Sequence, residues 1–196
     1  MELDAAVLVP VKAFGQAKRR LSPPLDAADR AALSRHLAAG VIAAAAPLGV
    51  AVVCEDEEVA EWALSLGALL IREPGRGLNG AVAAGVAHLA GAGVSTVVIA
   101  HGDLAQPAGL VDLLHQHQRD DVTLVPDRRD DGTNVVVVPT AACFRFSYGP
   151  GSFRRHVAEA ERLGRPARVV RGSALSLDVD LPADLLLPAC AGFGDQ

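Results

Sequence analysis

Aromatic side chains are scarce in this chain of 196 residues: one Trp, one Tyr and five Phe, 4% in all. A core must then be filled by Ala, Val and Leu, and apolar residues do reach 51%. Small side chains of this kind suit helices packed closely on a sheet. Cysteine is scarce too. Cys54, Cys143 and Cys190 are odd in number and lack CxxC spacing, which excludes a disulfide framework and leads us to expect reduced thiols in a cytoplasmic protein. There is no basic excess; the formal net charge is -5, so bulk electrostatics give no support for nucleic-acid binding. The longest apolar stretch, Ala38 to Val53, is interrupted by Gly40, Pro47 and Gly49, and no membrane span is expected. Met1 is followed by Glu2 and Asp4, not by a basic and then an apolar region, so no secretory leader is expected. A Walker A loop and a G-x-S-x-G elbow are also absent. His36, His88, His101, His115, His117 and His156 show no metal-ligand spacing on a shared face. A hydrolytic triad is not expected.

What is present is alternation. Buried strands are predicted at Ala5–Val11, Gly49–Cys54, Ala68–Ile71 and Thr96 onward, with helices at Asp26–Ala46, Glu55–Leu66, Ala81–Ala90 and about Ala108–Gln118 between and after them. Lys12–Pro24 reads as a loop too polar and interrupted to be core. Val122–Pro126 and Asn134–Val138 are strands joined across an Asp-Gly turn. A helix follows from Tyr148–Phe153 to about Leu163, then late strands at Ala167–Arg171 and Leu175–Val179, and a helical turn at Pro182–Leu187. The expected architecture is a single α/β domain over 1–196, Rossmann-like, with a mixed, mainly parallel sheet flanked by helices and a β-hairpin-like insertion.

Thr96–Leu104 (T-V-V-I-A-H-G-D-L) is the strand on which function is expected to centre. In open α/β sheets ligands sit beyond the carboxyl ends of the strands, and this one delivers Asp103 there. The alternative is a turn Asp opening the next helix. Asp178 and Asp180 form a D-x-D at another strand end; with Asp103 they make a carboxylate clamp of the hard-oxygen type that suits Mg²⁺, although D-x-D alone is more often a helix cap, here before Leu181-Pro182, than a metal site. Gly149-Pro150-Gly151-Ser152 opens a helix, where free N–H groups, the dipole and the Ser152 hydroxyl make an anion cradle, with Arg154, Arg155 or His156 available to add charge; plain capping by Ser152 is the alternative. Asp131-Gly132-Thr133-Asn134 is a turn that becomes a ligand loop only by company. Gly75 to Gly80 matches G-x-G-x-x-G, but it follows the third strand, and Pro74 and Arg76 stiffen and fill it, so NAD(P) binding is the lesser reading. A metal-dependent glycosyltransferase using Asp178-Val179-Asp180 is another.

In order along nearly the whole chain, P-V-K-A-F-G-Q-A-K-R-R-L (Pro10–Leu21), G-L-N-G-A (Gly77–Ala81), H-G-D-L (His101–Leu104), D-G-T-N (Asp131–Asn134), Y-G-P-G-S-F-R-R-H (Tyr148–His156) and L-S-L-D-V-D-L-P-A-D-L (Leu175–Leu185) resemble the guanylyltransferases that make the phospholactyl or phosphoenolpyruvyl nucleotide precursor of coenzyme F-420. The family is itself similar to the nucleotide-sugar pyrophosphorylases. The resemblance implies that Asp103, Asp178 and Asp180 hold Mg²⁺, that Thr133, Gly149 and Ser152 bind a phosphorylated three-carbon acid, and that Lys12, Lys18, Leu78 and Asn79 receive GTP. Asp103, Lys12 and Lys18 are the implied catalytic groups. It also implies a labile product, hence hand-over to the next enzyme of the pathway. Where the family is expected to read G-D-L-P, this chain has Gly102-Asp103-Leu104-Ala105-Gln106-Pro107, so the loop after Asp103 is expected to differ in shape.

Overall fold

In a computed structural model, described for residues 5–22 and 24–193, seven strands form one sheet. The strands are β1 (Ala5–Pro10), β2 (Val50–Cys54), β3 (Leu69–Arg72), β4 (Thr96–Ala100), β5 (Val122–Pro126), β6 (Thr133–Pro139) and β7 (Ala167–Val169), in the spatial order β3-β2-β1-β4-β6-β5-β7. Every neighbouring pair is parallel except those made by β6, which runs antiparallel to both β4 and β5. The predicted hairpin is therefore woven into the sheet. The helices are α1 (Ala27–Ala45), α2 (Glu57–Ser65), α3 (Gly77–Gly91), α4 (Leu110–His115) and α5 (Ser152–Arg162).

Strand side chains alternate between two layers, so each β-branched run feeds both faces. Val7, Val9, Val52, Val98, Val135 and Val137 pack with Val41 of α1, Val59 of α2 and Leu110 of α4. Leu8, Val53, Val97, Ile99, Leu124 and Val136 face Val82 and Val86 of α3 and Phe153 of α5. At Gly85 of α3 an added Cβ would lie 2.7 Å from Leu8, so this helix approaches β1 more closely than any larger residue permits. Asp26 and Asp56 accept hydrogen bonds from Asp29 N (2.8 Å) and Val59 N (3.2 Å), capping α1 and α2. From Ala27 to Leu48 the chain is long and apolar enough to cross a membrane, but Leu33, Leu37, Val41 and Ile42 are buried inside this fold.

Several expectations need correction. Lys12–Pro24 is not all polar loop: single 3-10 turns at Phe14–Gln16 and Arg19–Leu21 bury Phe14 against Trp62 and fix Leu21 in a third apolar cluster with Leu25, Leu33 and Val179. Two buried anchors suffice to hold a polar segment in place. Leu175–Val179 is not a strand. Its start is a 3-10 turn, Ala174–Ser176, and its end makes one antiparallel bridge, Asp178 with Leu104, because it lies against the irregular residues beyond the end of β4 and not along a strand. Pro107 begins a 3-10 turn (Pro107–Gly109), so the helix after it is only six residues long. The helix predicted from Ala81 starts earlier, at Gly77, so the G-x-G-x-x-G run winds into α3. At Gly80 a Cβ would sit 2.8 Å from the Cβ of Arg76, so this glycine serves the first helical turn and not an open phosphate turn. The final helical turn is 3-10, Pro182–Leu186.

Candidate active site

The parallel strands β1 and β4 end at one edge of the sheet. Since β6 runs the other way, it contributes its first residue, Thr133, to that same edge; the His101 N–H donating to Asn134 O at 3.1 Å fixes the register there. The turn between β5 and β6 stands above this edge, tied by Asp127, whose carboxylate accepts from the backbone N–H groups of Arg129, Asp131 and Gly132 (2.9, 3.0 and 2.9 Å). Asp131 in turn accepts from Gly151 N (3.0 Å) through its side chain and from Phe153 N (3.0 Å) through its carbonyl. The D-G-T-N turn and the G-P-G-S loop are thus one structure. Arg155 does not offer its charge to a ligand. Its guanidinium donates to the carbonyls of Ser147, Gly149 and Pro150 and staples the loop.

A cavity of about 520 Å³ opens here, lined by eight of the ten residues expected to form the site: Lys12, Leu78, Asp103, Thr133, Gly149, Ser152, Asp178 and Asp180. Lys18 lies in the adjoining recess, which shares Lys12, Leu78, His101, Asp103 and Asp180 with it. Asn79 is apart. Its Oδ1 accepts from Tyr148 N at 2.6 Å, so it ties α3 to the loop before α5 and lines neither hollow.

The carboxylates meet through backbone pairing. The segment carrying Asp178 lies antiparallel to the residues after β4, with Val179 N on Asp103 O (3.1 Å) and Ala105 N on Leu177 O (2.7 Å). Asp103 is therefore no helix cap. Asp184 accepts from the N–H groups of Asp180 and Leu181, both at 2.8 Å, and pairs with Arg128, which fixes the D-x-D end. Between the acids stands the ammonium of Lys18, 2.7 Å from Asp103 and 3.4 Å from Asp180. Only 6% of the Lys18 side chain is exposed, and its backbone is left-handed (φ 55°), a conformation that costs a non-glycine residue on the order of 1 kcal/mol and that the surrounding contacts must hold.

Electrostatics follow from this packing. Burial alone would lower Lys18, but Asp103 and Asp180 outweigh it and keep the ammonium charged above its ordinary value. Burial would raise Asp103, yet the Lys18 charge wins and holds that carboxyl below its usual range. Asp178 has no cation of its own. Burial, reinforced by Asp103 and Asp180, pushes it up to about 6. Asp103 Oδ1 and Asp178 Oδ1 are buried with no hydrogen-bond partner among the described residues. Unpartnered hard oxygens on mutually repelling carboxylates are a donor set that fits a divalent cation. No group of three acidic, His or Cys residues among the described ones is already drawn into ligand geometry; the Lys18 ammonium stands between Asp103 and Asp180.

Ser152 does not cap α5; its hydroxyl reaches Thr133 Oγ1 at 3.4 Å. Two histidines of the site behave in ways that their place in the sequence does not show. His101 lines the cavity, its ring 4.8 Å from that of Tyr148, and its Nε2 is buried without a partner among the described residues. His156, expected to add charge, is instead fully buried, and burial pushes it down to about 4. A histidine following a Gly-rich loop carries no pattern that reveals burial.

Lysines, hydroxyls and carboxylates gather at one end of a mainly parallel α/β sheet whose fold is that of the nucleotidyltransferases. The fold matches a Desulfovibrio desulfuricans G20 protein described as a nucleotide-diphospho-sugar transferase (TM-score 0.76, 18% identity, 94% of this chain and 85% of that one). It also matches a CMP:2-keto-3-deoxy-manno-octonic acid synthetase solved with CTP (TM-score 0.55, 12% identity, 92% and 95%). The family described as "Guanylyl transferase CofC like" matches residues 5–193, and the chain belongs to that family, the guanylyltransferases of coenzyme F-420 biosynthesis. Similar relatives are the phosphoenolpyruvate guanylyltransferases of Sphaerobacter thermophilus (34% identity, 93% of this chain, 91% of the relative) and Rubrobacter xylanophilus (36%, 93% and 92%). The 2-phospho-L-lactate guanylyltransferase of Methanothermobacter thermautotrophicus is 35% identical over 93% of this chain and 83% of its own.

Proposed function

We propose that this chain transfers GMP from GTP to phosphoenolpyruvate and releases pyrophosphate, with Mg²⁺ held by Asp103, Asp178 and Asp180. The observation that carries the reading is one cavity where the carboxylate cluster meets the Thr133, Gly149 and Ser152 cradle, with Lys18 in the recess beside it. Two of the relatives above are named for phosphoenolpyruvate and one, equally similar, for 2-phospho-L-lactate. Free thiols at all three cysteines fit a reducing, cytoplasmic setting.

A phosphate monoester has its second pKa near about 6 and is largely dianionic at neutral pH. One of its oxygens forms the new bond to the α-phosphorus of GTP, and the bond to the β-bridging oxygen breaks, its electron pair leaving with pyrophosphate. No general base is required. That agrees with a site whose Tyr148 is held protonated, pushed far above its ordinary range by burial, and whose His156 already spends its Nε2 lone pair on Ser147 N–H. The obstacle is repulsion between two anions. Lys18 is held protonated in its recess, and the exposed Lys12, which has no ion-pair partner among the described residues, lies on the rim. Both would offset the charge that gathers as the reactants approach, and Mg²⁺ when bound would supply further positive charge at the same place. The hydroxyls of Thr133 and Ser152 would grip the acceptor.

Purified protein incubated with GTP, Mg²⁺ and either phosphoenolpyruvate or 2-phospho-L-lactate should release pyrophosphate faster with the first. Faster release with phospholactate would reassign the acceptor, and silence with both would leave the reading without support. In the same assay, Ser152→Ala should raise the acceptor KM about tenfold, the equivalent of one hydrogen bond to a charged group, and leave the KM for GTP near wild type.

A further inference from the structure

Thr133 can help bind an anionic acceptor only if its hydroxyl presents a proton, not a lone pair, to the cavity. A threonine hydroxyl has one proton and two lone pairs, so what its protein neighbours do with them decides which it presents. Thr133 is nearly fully buried and has two such neighbours, Ser152 Oγ at 3.4 Å and His156 Nδ1 at 3.0 Å. The first is at the long limit of a hydrogen bond and leaves the Ser152 hydroxyl free to turn. The second is short and involves an imidazole with no solvent exposure.

The other imidazole nitrogen settles the direction. His156 Nε2 lies 2.9 Å from the backbone N of Ser147, which can only donate. Nε2 must therefore carry the lone pair, and in a neutral ring the proton then sits on Nδ1. The ring is kept neutral chiefly by burial, with His101 and Arg155 adding to the effect and Glu159 opposing it. Hydrophobic contacts hold its plane: Tyr148 meets it edge-on at 4.9 Å and Phe144 packs at 5.6 Å.

We infer that His156 is a positioning residue for the acceptor: the chain Ser147 N–H to His156 Nε2, then His156 Nδ1–H to Thr133 Oγ1, fixes the Thr133 hydroxyl as a donor facing the cavity. The opposite tautomer would force Thr133 to donate into the ring and would aim a lone pair at the incoming anion. Anion affinity at this spot is thus set by a peptide group three hydrogen bonds away from the ligand. The inference rests on the acceptor cradle proposed above.

The two amide replacements separate the two halves of the chain. In His156→Asn the side-chain amide falls where Nδ1 was and can still donate to Thr133; in His156→Gln it reaches Ser147 and leaves Thr133 free to rotate. Both should lower thermal stability, since both thin the aromatic cluster. Only His156→Gln should raise the acceptor KM, about fivefold to tenfold, with kcat and the KM for GTP held, and His156→Asn should stay within about twofold of wild type. In a Thr133→Val background the Gln effect on KM should vanish. Equal KM effects from both amides, or a Gln effect that persists without the Thr133 hydroxyl, would overturn the inference and leave the cradle standing. An unchanged acceptor KM in Thr133→Val alone would instead remove the cradle and the inference with it. Should the variants fail to fold, the wild-type ring still decides: nitrogen-15 NMR should show His156 as the Nδ1–H tautomer at pH 7, and an Nε2–H tautomer would refute the chain.

Discussion

Asp103→Asn should cost roughly 10²–10³-fold in kcat, the equivalent of about 3–4 kcal/mol of transition-state stabilisation, with the fold kept but weakened where a buried ion pair is lost. The change is nearly isosteric and leaves the Asp103 carbonyl to receive Val179 N, so the backbone bridge that carries Asp178 and Asp180 persists. What disappears is charge. Lys18 loses its 2.7 Å partner and keeps only Asp180 at 3.4 Å, and one of the two unpartnered carboxylate oxygens proposed to face Mg²⁺ becomes part of a neutral amide. Asp178, relieved of one like charge, should ionise more readily. Steady-state pyrophosphate release and calorimetric titration with Mg²⁺ measure both consequences. Wild-type turnover by this variant would sink the assignment of Asp103.

Lys18→Met should be the more damaging change to the folded protein, and its damage should depend on pH and metal. Methionine fills a similar volume, but the buried ammonium between Asp103 and Asp180 is gone, and breaking a buried pair costs about 3–5 kcal/mol because an uncompensated charge stays behind. The sign of the pH effect follows from the two shifted carboxyls. Asp178 is raised to about 6, so its stabilising share is complete below its unfolded pKa near 4 and is lost as pH rises through 6. Asp103 is depressed by Lys18, so its share is present above about 4 in the wild type and is the part the substitution abolishes. The Asp178 share is common to both proteins, so the variant should lie closest to wild type below about pH 4, where Asp103 is protonated, and fall away as pH rises through it. Mg²⁺ should restore much of the loss at pH 7.5, where the carboxylates are charged, and little at pH 3.5. Melting curves with Mg²⁺ or EDTA at the two pH values check this. A loss that ignores both pH and metal would mean that the three acids do not act as a cluster.

Most of the sheet was legible because parallel strands buried on both faces are written as unbroken β-branched runs; V-V-I-A before His101 needs no partner to be recognised. The helix start read at Asp26 was equally local, since a cap is a side chain bonding three residues ahead; the start read at Glu55 falls one residue before the Asp56 cap. Leu175–Val179 was misread because its apolar pattern is that of a strand, but it packs beside the irregular residues after β4, which offer no ladder to extend. Arg155 was read toward a ligand because polar groups near a Gly-rich loop usually face solvent or substrate; the loop's own carbonyls claimed it first. Asn79 came from the resemblance alone, and Tyr148 N takes its side-chain oxygen.

The sequence by itself determined the chemistry of the parts: acids after β4 and in the D-x-D, hydroxyls and glycines before α5, lysines after β1, and the family that these motifs mark in order. Those are covalent facts, fixed by residue type and spacing. Only the tertiary structure decided what the parts do to one another. An antiparallel β6 brings Thr133 to the edge where β1 and β4 end, a single bridge sets Asp178 beside Asp103, and a buried Lys18 takes up the charge between the acids. Burial and proximity are properties of the packed chain. They set which acid is ionised, which histidine is neutral and which way a hydroxyl points, and no spacing along the sequence encodes them.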